Sequence, residues 1–155
     1  MQRYVEVVPL PRLEFPHYDP DAAQAIGHHS AEAGGGLPSF LGIEMVDIGP
    51  GRMVCQLPVR DELLNAFGSL HGGVVSALAD HVLGAVLYSV IERGSWAATT
   101  EFKLNLLAPI RSGVVRAEAE IISMSSRTAV VRIDITNDER AAAAAQGTVS
   151  VMAPK

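Results

Sequence analysis

The sequence predicts an α+β domain in which a strongly curved antiparallel sheet wraps around one long central helix. Three features point there. Residues 72–91 form an apolar stretch interrupted by only a few polar side chains. Four segments beyond residue 96 alternate apolar and polar residues at period two, so each has one apolar face. A helix that is apolar nearly all round must be covered on most sides, and one curved sheet is the simplest cover.

The elements follow in order. Residues 1–36 read as an N-terminal extension. Pro9, Pro11, Pro16 and Pro20 exclude a long regular element from the first twenty residues. A short helix over residues 19–33 would start at Asp19 or Asp21, with Pro20 tolerated in its first turn. Gly34-Gly35-Gly36 ends it as a joint, and His28 and His29 read as exposed. The domain proper runs over residues 37–155. A strand is expected over residues 40–48, a turn at Gly49-Pro50-Gly51 and a returning strand over residues 52–58. Met53, Cys55 and Leu57 share one face of that strand, where Cys55 serves packing. Residues 59–71 lack a period and read as loop. The helix follows over residues 72–91, with Gly94 placed to end it. Beyond it, Thr100, Phe102, Leu104 and Leu106 alternate with Thr99, Glu101, Lys103 and Asn105. Turns over residues 109–113 and 137–140 separate three further alternating strands. The alanines of residues 141–145 favour helix by propensity. Their place after a hairpin turn assigns them to a strand.

Bulk properties narrow the function. A chain of 155 residues suits one domain with a real core. A single cysteine excludes a disulfide framework, so a reducing cytoplasm is the expected location. The net charge of -5 argues against a nucleic-acid surface. Prolines interrupt the N-terminus where a secretory signal needs an apolar run. Residues 72–91 are long enough to span a membrane, but Asp80 and His81 lie at their centre. A charge there costs about 2.5–3.5 kcal/mol, which favours a buried helix and no membrane partner.

The polar residues of the helix carry the chemistry. Ser76, Asp80 and Gly84 are spaced four apart and form one small, polar stripe. A carboxylate in such a helix is costly unless it is paired or faces a cleft. Just before it, Asn65, Gly68, His71, Gly72 and Gly73 crowd into nine residues. A helix N-terminus offers unpaired N–H groups to a developing oxyanion, and glycine lets a ligand approach the backbone. The structural alternatives are an Asp bonded to nearby backbone and a tight turn capped by His71. No nucleophile elbow, phosphate loop or dinucleotide fingerprint occurs, and His71 with Asp80 is too small a set for a metal.

The pattern N-x-x-G-x-x-H-G-G, with Asp nine residues after the His, resembles the hotdog-fold acyl-CoA thioesterases. The PaaI-like branch, related to phenylacetate degradation, is the most similar. The likeness spans residues 37–152 and includes Leu41-Gly42-Ile43 and Pro109-Ile110-Arg111-Ser112-Gly113. It implies that Asp80 drives hydrolysis as general base or nucleophile. It also implies that the Gly72 N–H, with Gly73 beside it, polarises the thioester carbonyl. Asn65 and His71 would orient the acyl group and sulfur, and Thr99 would help hold water. The family builds its sites between subunits, which implies a homodimer or a dimer of dimers. Asn65, His71 and Gly72 of one copy would then meet Asp80 and Thr99 of the other.

The implied substrate is an acyl-CoA, and no separate cofactor or metal is called for. Arg111, Lys103 and Ser125-Ser126-Arg127 are the candidate contacts for the CoA phosphates. Ser76, Leu64, Phe67, Val75, Leu83 and Val86 are expected around the acyl group, which small neighbours leave room to be aryl or medium-chain. Two other functions remain open on this fold: an acyl-thioester hydratase or dehydratase, and a non-catalytic acyl-CoA-binding module.

Overall fold

Leu41 and Ile43, both buried, flank the glycine that separates a short helix from the first strand. The computed structural model describes residues 12–22, 24–26 and 36–154. His28, His29, Gly34 and Gly35 lie outside them. Helix α1 (Gly36–Leu41) ends in a Schellman motif. Gly42, at φ +75°, donates to the Ser39 carbonyl at 3.1 Å, and Ile43 donates to the Pro38 carbonyl at 2.9 Å. The strand expected over residues 40–48 therefore begins later, as β1 (Glu44–Gly49). Pro38 in the first turn and Gly42 after the last were the helix signals in the sequence.

The remaining elements are β2 (Arg52–Pro58), α2 (Gly72–Ala85), β3 (Trp96–Leu106), β4 (Val114–Met124), β5 (Thr128–Asn137) and β6 (Arg140–Met152). The six strands form one antiparallel sheet in the order β1-β2-β4-β5-β6-β3. The predicted α+β hotdog architecture is what the chain adopts. The alanine run lies in β6, as its alternation required. The long helix is shorter than expected, because its last turn tightens at Val86–Ser89. By length and composition alone Gly72–Ser89 could cross a membrane; half of it is buried inside this fold.

The sheet presents an apolar inner face to α2. Met53, Cys55 and Leu57 of β2 are buried there, as are Val115, Ala117 and Ala119 of β4 and Val131, Ile133 and Ile135 of β5. Val75, Leu78, Ala79, Val82 and Leu83 of α2 meet them. Burial pushes the Cys55 thiol up to about 12, which leaves it unreactive packing. The outer face is polar. Arg52 pairs there with Asp47 and Glu118, and Arg132 with Glu120. These pairs are solvent-exposed and contribute little stability.

Part of the N-terminal segment packs on the domain. Phe15 lies over Gly51, where a Cβ would come 2.3 Å from its ring. Asp19 caps the following helical residues through Asp21 and Ala22 N–H at 3.1 and 3.0 Å. Its own N–H donates to the Ser89 carbonyl at 2.8 Å, and its carboxylate takes two hydrogen bonds from Arg93. The Arg93 bonds, then the Ala22 N–H, lower the Asp19 pKa to about 2.

Candidate active site

The loop before α2 is shaped by Asn65. Its Oδ1 accepts from Phe67 N–H at 2.9 Å and from Ser69 N–H at 3.2 Å. Its backbone closes the same turn, receiving Gly68 N–H and donating to Ser69 O. Gly68 has φ +72°, which the turn requires. The Asn65 oxygen is thus committed to the loop, and only its Nδ2 remains to orient a substrate. The loop is tied to the domain by Leu70 N–H to the Ile110 carbonyl and His71 N–H to the Leu63 carbonyl.

His71 is the N-cap of α2 and its Nδ1 accepts from Gly73 N–H at 2.9 Å. A ring that accepts at Nδ1 carries its proton on Nε2, which leaves a donor at that side. Gly73 N–H, beside the Gly72 N–H that the resemblance assigns to the carbonyl, is therefore taken up by the cap. The next two amides, of Val74 and Val75, turn back to the His71 carbonyl. Gly72 N–H has no acceptor among the described residues. Gly72 also lines a cleft of about 400 Å³, together with Asn65, Phe67, Val75, Leu106 and Ile110. The helix dipole adds partial positive charge at this end.

Leu106, Leu107, Pro109 and Ile110 are cleft walls that sequence reasoning missed. They come from the end of β3 and the turn after it, and the Leu70–Ile110 and Arg111–Phe67 bonds tie that turn to the loop. Leu83 and Val86, expected as walls, do not line it. Both are fully buried in the core: Leu83 is on the face of α2 that meets the sheet, and Val86 opens the tightened turn that follows the helix. Leu64 pairs with Leu70 across the base of the loop and is also absent from the lining.

Asp80 is exposed on α2, and Ser76 before it is half-buried. At Gly84 a Cβ would meet nothing within 4 Å. The stripe of Ser76, Asp80 and Gly84 is thus left open by the described chain. His71 and Asp80 belong to one helix, where nine residues at roughly 1.5 Å each set them about 13 Å apart. Asp80's neighbour His81 is half-buried, and burial lowers its pKa against the opposing pull of the Asp80 charge.

Thr99 reaches the helix side of the sheet through a bulge. The register of β3 against β6 shifts between Thr99 and Glu101. Thr99 pairs with the inward Val149 and Phe102 with Gly147, whereas Thr100 and Glu101 both point outward. Their outward partners are Ser150 and Thr148, at 3.0 and 2.7 Å. Strict alternation had placed Thr99 and Phe102 on opposite faces. The bulge puts them on the same one.

The candidate phosphate contacts fall at two ends of the sheet. Arg111 donates to the Phe67 carbonyl at 3.3 Å, beside the cleft. Ser125-Ser126-Arg127 forms the turn at the far end of β4, about 33 Å away at roughly 3.3 Å per residue. The Ser125 hydroxyl is engaged by Arg127 and Thr128 N–H within that turn. Lys103 lies on the outer face with Gln146. Among the described residues no His, Cys, Asp and Glu cluster could hold a metal.

The thioesterase superfamily model matches residues 67–144. A 1,4-dihydroxy-2-naphthoyl-CoA hydrolase of Listeria monocytogenes is 37% identical over 66% of this chain and 84% of its own length. The human acyl-coenzyme A thioesterase 13 is 28% identical over 68% of this chain and 75% of its own. Among solved structures, a thioesterase from Haemophilus influenzae superposes with a TM-score of 0.76 at 29% identity, covering 84% of this chain and 90% of that one. The PaaI protein of E. coli shares the fold, with a TM-score of 0.76 at 23% identity over 86% and 96% of the two chains.

Proposed function

Since this chain belongs to the thioesterase superfamily, we propose that it hydrolyses acyl-CoA thioesters in a homodimer whose sites lie between the subunits. The observation that carries this is the Gly72 N–H, without an acceptor at a helix N-terminus, in a residue that lines the cleft. Such a donor stabilises the oxyanion formed when the thioester carbon becomes tetrahedral, and losing one typically costs about 2.7–4 kcal/mol. Asp80 takes the proton of the attacking water, or attacks the carbonyl itself to give an anhydride that water opens. In both routes the C–S bond breaks, the sulfur leaves as CoA thiol and the acyl group leaves as carboxylate. The thioester is already activated, so the proposed steps use no metal.

Asp80 and Gly72 of one chain are too far apart along α2 to grip one carbonyl. A second copy removes the difficulty. Strand β3 is an edge strand of eleven residues, paired on one side only. α2 runs antiparallel to it: Gly72 lies against Leu106, whereas Ala97 N–H reaches the Tyr88 hydroxyl at 3.3 Å. A two-fold pairing of β3 edges is antiparallel, so it sets the Gly72 end of one helix toward the later half of the other. It would cover the open Ser76–Asp80–Gly84 stripe and the exposed Leu106 and Leu107. It would also bring Arg111 of one copy toward Arg127 of the other, for the CoA phosphates.

The test is thiol release over a panel of aryl-, short- and medium-chain CoA esters, with Asp80→Asn as control. Turnover that Asp80→Asn abolishes in a folded protein is the expected result. Enoyl-CoA consumption without thiol release would instead assign a hydratase, and binding without turnover would assign a carrier module.

A further inference from the structure

Gly147 stands on the inner face of β6, opposite Phe102 of β3. A Cβ at this position would lie 2.5 Å from the Glu101 carbonyl oxygen, 2.5 Å from Phe102 Cβ and 3.0 Å from Leu83 Cδ2. The first two atoms belong to the segment that completes the β3 bulge, directly after Thr99 and Thr100. The third belongs to α2, three residues after Asp80. Gly147 does not have the left-handed backbone that demands glycine elsewhere in the chain. The position calls for glycine because there is no room for a side chain, in a strand interior where glycine otherwise weakens the ladder.

A side chain here would be a wedge between three elements. It would push β3 off β6 at the bulge and lift α2 from the sheet at Leu83. Thr99 and Asp80 are carried by the two elements that would move apart. Other positions on the same inner face carry a Cβ without such conflict: Ala145 and Val149 flank Gly147 two residues away on either side, and both are buried.

We propose that Gly147 is a positioning residue for the reaction: its missing side chain sets the spacing between the helix that carries Asp80 and the bulge that turns Thr99 toward it. This rests on the reading of Asp80 and Thr99 as working residues. Close approach of this kind matters because a displacement near 1 Å in a reacting group lowers a rate on the order of 100-fold.

The experiment is a double-mutant cycle between Gly147→Ala and Thr99→Val, assayed by thiol release from hexanoyl-, decanoyl- and benzoyl-CoA. Circular dichroism fixes a temperature at which every variant is folded. Gly147→Ala is expected to lower kcat at least about tenfold with KM within about twofold. In the Thr99→Val background the same change is expected to add less than about twofold, because the hydroxyl it displaces is already gone. A merely structural role would lower both backgrounds by the same factor, and that result overturns the proposal. An unchanged kcat, or a change confined to KM, overturns it as well. Leu83→Val removes the Cδ2 contact from the helix side and provides the same cycle if Gly147→Ala does not fold. Its kcat loss is expected to vanish in the Thr99→Val background, and a loss that persists there counts against the proposal. Asp80→Asn separates the two levels: turnover retained in that variant overturns the underlying reading, whereas turnover lost in it with full kcat in Gly147→Ala overturns the spacing role alone.

Discussion

His71 Nδ1 determines which amides of the first turn of α2 are engaged. By holding Gly73 N–H it leaves Gly72 N–H as the single first-turn donor without an acceptor among the described residues. Replacing His71 with Ala removes the cap, at about 1 kcal/mol. His71→Asn keeps a capping oxygen, so denaturation midpoints should recover in that variant. Activity should not recover with it, because Asn offers no donor in the place of Nε2. Equal recovery of both would assign His71 to capping alone. The half-buried imidazole of His81 gives a second residue-level test. Its pKa is lowered in the fold, so unfolded chains bind the proton first as pH falls below about 6.5. That part of the stability is present above this pH and is lost as pH falls toward the folded value. His81→Gln should flatten the acid limb of a stability profile measured by urea denaturation.

The residues of the motif were legible because their chemistry is local: a His before two glycines, and an Asp inside an apolar helix. Asn65 was visible as a residue but not in its job, since its two hydrogen bonds exist only once residues 65–69 have closed their turn. That Leu83 lies in the core rather than along the cleft was hidden for a different reason. Periodicity tells which residues share a helix face, not which of two apolar faces meets the sheet.

At the scale of elements, alternation marks the buried faces of β4 and β5 even though both strands carry register shifts, but it does not mark the face of Thr99 in β3. The bulge in β3 adds one residue that no period can announce, and it changes the face of Thr99. Helix α1 went unread because an apolar segment of nine residues fits a strand as well as a short helix plus a strand. The Asp19–Arg93 pair was unreadable for want of any local signal, as its partners are 74 residues apart. Its effect on stability has a clear sign. The Asp19 pKa lies at about 2 in the fold against 3.8 ordinarily, so its stabilisation is full above about pH 4 and fades as pH falls toward 2. Asp19→Asn should melt below the parent at neutral pH and converge with it near pH 2. A constant gap across that range would deny the ion pair its role.

For the whole molecule, the proposed pairing predicts complementation. Asp80→Asn and His71→Ala should each be inactive as pure proteins. Mixed in equal amounts and reassembled at random, they should regain activity in about a quarter of the sites, since one of the two sites in each hybrid has both residues intact. A site confined to one chain would regain none. Sedimentation at micromolar concentration should show at least a dimer. None of this could be read from periodicity, which describes how a chain covers its own helix and is silent on what covers its edges.

The two edges of the sheet are unlike. β1 has six residues, bends at a register shift between Met45 and Asp47, is followed by Pro50 and holds Asp47 in an ion pair with Arg52. β3 has eleven residues and a free side. Two open edges on each copy would let every added molecule offer a fresh template, and growth would continue into a fibre. With one edge blunted in this way, addition through the sheet terminates at two molecules. Smoothing β1 by deleting Val46 would therefore be expected to give a protein that grows from its ends.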